Sequence, residues 1–249
     1  TKDVANADPV AVAVSIRNID DAYFASQDFV LEPIARVIRQ LLETAHVPVI
    51  LGGVGFSSAP REILQYTGAP YGIVGDGEDA LPELLNCLVS GGDVAKVSGA
   101  VYQAPDGIIR AVPPARYNLE SMPTPSRRFV DNVRYFLEGG QAGLETKRGC
   151  GMPCVYCIEP VAKGRQTRLR LPQSVVEECA DLLEQGVNVV HLCDSEFNLP
   201  CEHAHAICEA LCQSGLASKL QWYTYAYPQP FDADLARAMA SAGCLGIDF

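Results

Sequence analysis

Apolar residues fall along the chain in two alternating rhythms. Val10-Ala11-Val12-Ala13-Val14-Ser15-Ile16 is an unbroken, β-branched run, the pattern of a strand buried on both faces. Beyond the polar Arg17-Asn18-Ile19-Asp20-Asp21, residues Leu31, Ile34, Val37, Ile38, Leu41 and Leu42 recur at helical spacing, which predicts an amphipathic helix over 31–45. Val47-Pro48-Val49-Ile50-Leu51 is the next buried strand and closes on Gly52-Gly53. A short helix follows from about Ala59 to Tyr66. Tyr71-Gly72-Ile73-Val74 is a third strand, ending at Gly75-Asp76-Gly77, and Glu78 to Leu88 is again helical. Strands and helices in alternation specify a parallel sheet with helices on both faces.

The rhythm then changes. Ala100-Val101-Tyr102 and Ile108-Ile109-Arg110 read as a hairpin turned by Pro105-Asp106-Gly107. A proline-rich connector runs from Pro113-Pro114 to Pro123-Thr124-Pro125, with Arg127-Arg128 beyond it, and is the best domain boundary. Gly143-Leu144-Glu145-Thr146 is a short strand leading into a cysteine-bearing loop. Ser174 and Glu177 have the spacing of a capping box, and Val175, Val176, Cys179, Ala180 and Leu183 form one helical face ending at Gly186. Val187 to Cys193 is the second strand of this half and terminates in Asp194-Ser195-Glu196-Phe197-Asn198. A helix from Cys201 to Cys212, a strand over Leu220 to Tyr227, a helix over Asp232 to Ala242 and a fourth strand from Cys244 complete the chain. Tyr223, Tyr225 and Tyr227 share one face of their strand, where they either line a cavity or pack under helices.

With 249 residues and 48% apolar content the chain can bury one large core or two modest ones. Its net charge of −11 and pI near 4.8 argue against a broad nucleic-acid footprint. Ten cysteines, no secretory signal and no apolar run near 18 residues point to a reducing cytoplasm, with no membrane span. Cys87, Cys179, Cys193, Cys201, Cys208, Cys212 and Cys244 are scattered and read as small core residues.

The chemistry is concentrated in Lys147-Arg148-Gly149-Cys150-Gly151-Met152-Pro153-Cys154-Val155-Tyr156-Cys157. Three cysteines at C-x3-C-x2-C in a loop curled by glycine and proline mean metal. Three thiolates on a cubane iron-sulfur cluster leave one iron without a protein ligand, and an open position is where chemistry occurs. Two plainer readings stand beside this. A four-thiolate ferredoxin cluster would use a different order and count of cysteines. A structural zinc would need a fourth ligand, which His191 or Cys193 could supply. His191 otherwise reads as a core or cavity-lining residue, and His203 and His205, two apart on a helix, face different directions. The basic group Lys163, Arg165, Arg168 and Arg170 is either a solvated loop or a docking point for an acidic electron donor or a substrate.

The cysteine spacing, with aromatic Tyr156 before the last cysteine, resembles the signature of the radical S-adenosylmethionine superfamily. The resemblance implies that Cys150, Cys154 and Cys157 ligate a [4Fe-4S] cluster whose open iron chelates S-adenosylmethionine. Cleavage would give a 5'-deoxyadenosyl radical. In that family the end of the second strand holds the methionine amino group, and Asp194-Ser195-Glu196 matches an acidic variant of the usual glycine-glycine-glutamate run. Carboxylates and hydroxyls suit an ammonium-bearing ligand. The alternative role for Asp194 to Asn198 is to cap the next helix, whose first turn suits Pro200.

In open parallel sheets ligands bind at the carboxyl ends of the strands. Three such ends here carry Ser15, Arg17 and Asn18, then Gly52 and Gly53, then Gly75, Gly77 and Glu78; tight turns alone are the alternative. With Asp79 to Leu85, these residues resemble the cobalamin-binding domain that precedes the radical domain in one branch of the superfamily. The D-x-H-x-x-G motif that gives cobalt a histidine is absent, as in many members of that branch. The implied architecture is α/β. It comprises a truncated doubly wound parallel sheet of cobalamin-binding type over 1–112, a linker over 113–140, and the first four strand-helix units of a partial six-unit barrel over 141–249. The chain is thus expected to be a fragment, lacking the first strand and helix of one domain and at least two units of the other. The implied activity is cobalamin-dependent radical methylation or a related C–H functionalisation of a small-molecule or peptide substrate, fed by an electron donor such as flavodoxin or ferredoxin. A methylthio-transferring enzyme of tRNA is the rival. It would carry further cluster cysteines in its N-terminal domain, and residues 1–86 contain none.

Overall fold

The computed structural model describes residues 4, 6–21, 23, 25, 26 and 28–249. Thr1 to Asp3, the start of the expected 1–112 domain, lie outside them. The strands are β1 (Val12–Ser15), β2 (Val49–Gly52), β3 (Tyr71–Ile73), β4 (Ala100–Gln103), β5 (Ile109–Ala111), β6 (Ala142–Leu144), β7 (Lys147–Arg148), β8 (Arg168–Leu169), β9 (Val189–Leu192), β10 (Gln221–Tyr225) and β11 (Cys244–Asp248). The α-helices are α1 (Leu31–Thr44), α2 (Val54–Ser58), α3 (Pro60–Thr67), α4 (Ala80–Ser90), α5 (Asn132–Leu137), α6 (Glu159–Ala162), α7 (Pro172–Glu184), α8 (Cys201–Gln213) and α9 (Ala233–Ser241). None of the described helices is long and apolar enough to cross a membrane. The chain forms two compact units, residues 1–117 with 153–164, and residues 118–152 with 165–249.

The first unit is a five-stranded sheet in the order β1-β2-β3-β4-β5. The pairs β1-β2 and β2-β3 are parallel, and β3-β4 and β4-β5 antiparallel. The alternation of β2 sorts its two cores. Val49 and Leu51 pack with Ile38 and Leu41 of α1 and with Ile63 and Leu64 of α3. Ile50, on the other face, packs with Ile73, Ala80 and Leu84. Helices therefore cover both faces, and β2 is buried from Val49 to Leu51.

The run at Val10 to Ile16 departs from expectation. Instead of being buried on both faces, β1 alternates half-buried and exposed residues. Among the described residues it is an edge strand, paired only with β2, so it has a neighbouring strand on one side alone. Helix α2 is a second difference, because Val54 to Ser58 has no helical period in its sequence. Its position depends on Gly72 of β3, where an added Cβ would fall 2.2 Å from the Phe56 ring. Phe56 is fully buried there, so a tertiary contact makes the helix.

The second unit is built on a four-stranded, wholly parallel sheet in the order β6-β9-β10-β11. One face buries Val190, Leu192 and Trp222 against apolar residues of α7, α8 and α9. The Trp222 indole donates to the Ala242 carbonyl at 2.8 Å, so its one polar atom is satisfied. Helix α7 starts earlier than the sequence pattern suggests. Leu171 is the N-cap, Pro172 is in the first turn, and no side chain caps it. The expected capping box is absent because its residues are otherwise engaged: the Ser174 hydroxyl accepts from Arg170 at 2.9 Å and Glu177 accepts from Thr124 at 2.7 Å. Asp232 does cap α9, accepting from the Leu235 amide at 2.8 Å.

Candidate functional site

The cysteine loop leaves one strand and returns to another beside it. β7 and β8 pair antiparallel, Lys147 opposite Leu169 and Arg148 opposite Arg168, which closes the neck of the loop at 149–167. Gly149 at the mouth has φ +93, a conformation that L side chains rarely adopt. Cys150, Cys154 and Cys157 are free, half-buried thiols, and the Cys157 amide donates to the Cys154 carbonyl at 3.2 Å in a single turn. Tyr156, between them, is 89% exposed. Among the described residues no three of His, Cys, Asp and Glu converge as ligands of one ion. A cubane cluster takes each thiolate on a different iron, so it does not require convergence on a point. The donor set, three free thiols from one glycine-bearing loop, fits that group.

The strand entering the loop is pinned by the end of β9. Asp194 is 1% exposed, and its carboxylate accepts from the Thr146 amide at 2.8 Å, the Thr146 hydroxyl at 2.5 Å and the Lys147 amide at 3.2 Å. The Lys147 ammonium lies 3.7 Å from the same carboxylate and donates to the Glu196 carbonyl. His203 of α8 meets the Thr146 carbonyl at 3.0 Å through Nε2. A carbonyl only accepts, so that nitrogen carries the proton. Burial lowers the proton affinity of both Lys147 and His203. For Lys147 the charges of Asp194, Cys150 and Glu196 oppose the shift. For His203 the Thr146 hydrogen bond and Asp194 oppose it, and Lys147 adds to it. Glu196 is half-buried, and burial raises its carboxyl against the opposing Lys147. Asp194 therefore organises the strand end from within, whereas Ser195 and Glu196 stand at the half-exposed rim. Asn198 does not cap α8; it clamps the Tyr227 amide and the Tyr227 and Pro230 carbonyls.

A second network, centred on the buried Glu178, holds the same stretch. Glu178 of α7 pairs with Arg170 at 2.6 Å and with Arg127 of the proline-rich connector, while Arg127 and Arg170 also donate to the Gly143 and Glu145 carbonyls, each at 2.7 Å. The sequence placed Arg170 in a basic group read as either a solvated loop or a docking point. It is 2% exposed, and Lys163 from the same group pairs with Glu159 at 2.8 Å.

The face of the parallel sheet opposite the helices is aromatic. His191 and Tyr223 are register partners and stack at 4.6 Å with planes 5° apart; Tyr225 meets His191 edge-on at 5.0 Å. The two strand tyrosines thus lie away from the helices, whose side belongs to Trp222 and Thr224. Burial, with Tyr225 and Asp248 nearby, raises the Tyr223 phenol. Gly143 keeps this face open on β6, since a Cβ there would sit 3.3 Å from the Cys193 sulfur.

In the first unit the strand-end residues come together at one edge. Gly53, at φ +93, lies against β1's continuation: a Cβ would stand 2.5 Å from the Ile16 carbonyl and 2.8 Å from the Ser15 hydroxyl. Gly55 lies similarly close to Arg17 and Asn18. These glycines admit the chain itself, so their close-approach role is structural. A Cβ on Gly52 or Gly77 would meet no such obstacle. Gly75 lies beside Arg116, which reaches the Ala162 carbonyl at 3.4 Å. Next to it a cavity of about 230 Å³ is lined by Asp76, Asp79, Glu83, Arg116 and Tyr117, with Glu78 on the same turn. Helix α6, which follows Cys154 and Cys157, packs on α2 at this edge. Sequence reasoning missed Arg116, Thr146 and His203 as positioning residues. Only their contacts mark them.

No family model matches the chain. It is 30% identical over 295 aligned residues to tryptophan 2-C-methyltransferase of Streptomyces laurentii, an alignment covering 96% of this chain and 49% of that protein. It superposes on TsrM, a radical S-adenosylmethionine methyltransferase of Kitasatospora setae with cobalamin and a [4Fe-4S] cluster bound, at TM-score 0.87 and 31% identity over 96% of this chain and 48% of TsrM. A TsrM structure with tryptophan and an S-adenosylmethionine analogue bound gives TM-score 0.89 at 31% identity, over 99% of this chain and 50% of that one. The chain spans about half the length of the curated relatives it matches best among these.

Proposed function

Because the chain belongs to the radical S-adenosylmethionine superfamily, in the branch that carries a cobalamin-binding domain, we propose that it is the cofactor-holding half of a cobalamin-dependent radical methyltransferase. Residues 1–112 are then a doubly wound sheet of cobalamin-binding type. Residues 113–140 are a linker, and 141–249 the first four strand-helix units of the partial radical barrel. The observation that carries the reading is the C-x3-C-x2-C loop closed at its neck by β7-β8 and anchored by Asp194.

Cys150, Cys154 and Cys157 would hold a [4Fe-4S] cluster, with Tyr156 beside the last ligand. Ser195 and Glu196, at the rim of β9, would accept hydrogen bonds from the amino group of S-adenosylmethionine. Ser15, Arg17, Asn18, Gly52, Gly53, Gly75, Gly77 and Glu78 mark the edge of the first sheet that would face cobalamin. When bound, the cluster supplies the electron for cleavage of S-adenosylmethionine and cobalamin serves as the methyl carrier. The protein's own share is to position and to exclude water. His191, Tyr223 and Tyr225 offer an aromatic surface, one stacked pair with a third ring edge-on, suited to an aromatic small-molecule substrate. An electron donor such as flavodoxin or ferredoxin and a cytoplasmic setting complete the proposal.

The test is anaerobic reconstitution of the full-length parent protein with iron, sulfide and cobalamin, followed by S-adenosylmethionine under reductant. Reductant-dependent consumption of S-adenosylmethionine that is lost in Cys154→Ala supports the reading. A protein holding a full cluster that leaves S-adenosylmethionine unchanged removes it.

A further inference from the structure

Lys147 is an interior cation placed next to the cysteine loop. It is 4% exposed, three positions before Cys150, at the end of a strand that Asp194 and His203 hold rigid. A lysine is rarely buried so fully, because removing an ammonium from water is costly unless it is paired. Here its nitrogen has two partners, the Asp194 carboxylate at 3.7 Å and the Glu196 carbonyl. Only Arg148 and Gly149 separate Lys147 along the chain from Cys150, the first thiol of the loop. A rim lysine would be screened by water; an interior one acts at low dielectric.

We propose that the Lys147–Asp194 pair sets the reduction potential of the cluster held by Cys150, Cys154 and Cys157. Lys147 raises the potential and Asp194 lowers it. The proposal rests on the functional reading above. Reduction adds one electron to the cluster, so a fixed positive charge beside it stabilises the reduced form and a fixed negative charge destabilises it. Neither residue is a ligand and neither exchanges a proton in this role. A purely structural clamp makes a different prediction: loss of either partner loosens the same strand and disturbs the cluster in the same sense.

The experiment is a redox titration, followed by electron paramagnetic resonance, of the reconstituted full chain in wild type, Lys147→Met, Lys147→Arg and Asp194→Asn, with iron and sulfide content measured on each. The expected result is a midpoint below wild type for Lys147→Met, near wild type for Lys147→Arg and above wild type for Asp194→Asn. Equal midpoints in all four, shifts of one sign in Lys147→Met and Asp194→Asn, or an arginine variant as low as the methionine variant overturns the assignment. If Lys147→Met does not fold, the opposite-sign shift in Asp194→Asn and the retained potential in Lys147→Arg still decide it. A wild-type chain that takes up no iron or sulfide fails the functional reading itself; a chain that holds its cluster without these shifts fails only this inference.

Discussion

Thr146 gives both its backbone N–H and its hydroxyl to Asp194, 48 positions further along the chain. This one carboxylate joins the end of β9 to the strand that enters the cysteine loop. Both residues are buried, so nothing replaces the contact if it is lost.

Asp194→Ala leaves the Thr146 donors buried without an acceptor and the Lys147 ammonium buried without its counter-charge, with only the Glu196 carbonyl beside it. The expected cost is about 3–5 kcal/mol, the range for removing one partner from a buried charged pair. Urea unfolding followed by circular dichroism measures it, and a loss under about 1 kcal/mol would mean that water reaches the strand end.

Stability should fall on acidification through the histidine range. Burial holds His203 below its ordinary 6.5. The unfolded chain therefore binds a proton that the folded chain refuses, and stability is fullest above that ordinary value and is lost as pH falls towards the lowered one. Urea midpoints at descending pH should drop in wild type and drop less in His203→Asn; parallel slopes in the two proteins would refute this.

Glu178→Gln removes the charge shared by Arg170 and Arg127. The buried Arg170 and the partly exposed Arg127 are then left facing a neutral amide, at an expected cost of about 3 kcal/mol, most of it from Arg170. A double-mutant cycle with Arg127→Met should show coupling above about 0.5 kcal/mol, and additivity would count against a shared network.

Gly72→Ala should destabilise by about 1–3 kcal/mol, since its methyl would enter the Phe56 ring. Phe56→Leu in the same protein should recover part of that loss. If the double variant is worse than the sum of the two, the ring and the glycine are not the matched pair described above.

Iron binding should distinguish the cysteines. Alanine at Cys150, Cys154 or Cys157 should abolish cluster assembly, while alanine at Cys179 or Cys208, core thiols pushed up to about 12 by burial, should leave iron and sulfide content unchanged. Retention of a full cluster by any of the three loop variants would move the ligand assignment elsewhere.

Much of the fold was legible because its periods are strong. Leu31 to Leu42 announced α1 to within a residue of its observed ends, and the Pro105-Asp106-Gly107 turn announced the β4-β5 hairpin. The parallel strands of both sheets could be read from apolar runs bounded by glycine or acid. What escaped is what only contact decides. Helix α2 has no period and exists because Phe56 seats on Gly72. The run at Val10 to Ile16 looks like a central strand, yet edge or centre depends on neighbours that a local pattern does not contain. At the site, the cysteines declared themselves by spacing. Lys147 and Arg170 did not, because a cation in sequence reads as solvent-facing until its carboxylate, far along the chain, is found beside it.

The two-residue ladder of β7 and β8 has a consequence for assembly. Gathering three thiolates from an open chain carries the entropy of closing the segment that joins them, and that cost grows with the logarithm of its length. Here the ends of the segment are tied to each other at Lys147–Leu169 and Arg148–Arg168 by backbone pairing alone. The larger part of the closure is therefore met by folding, and incoming metal has only the interior of a ring to arrange.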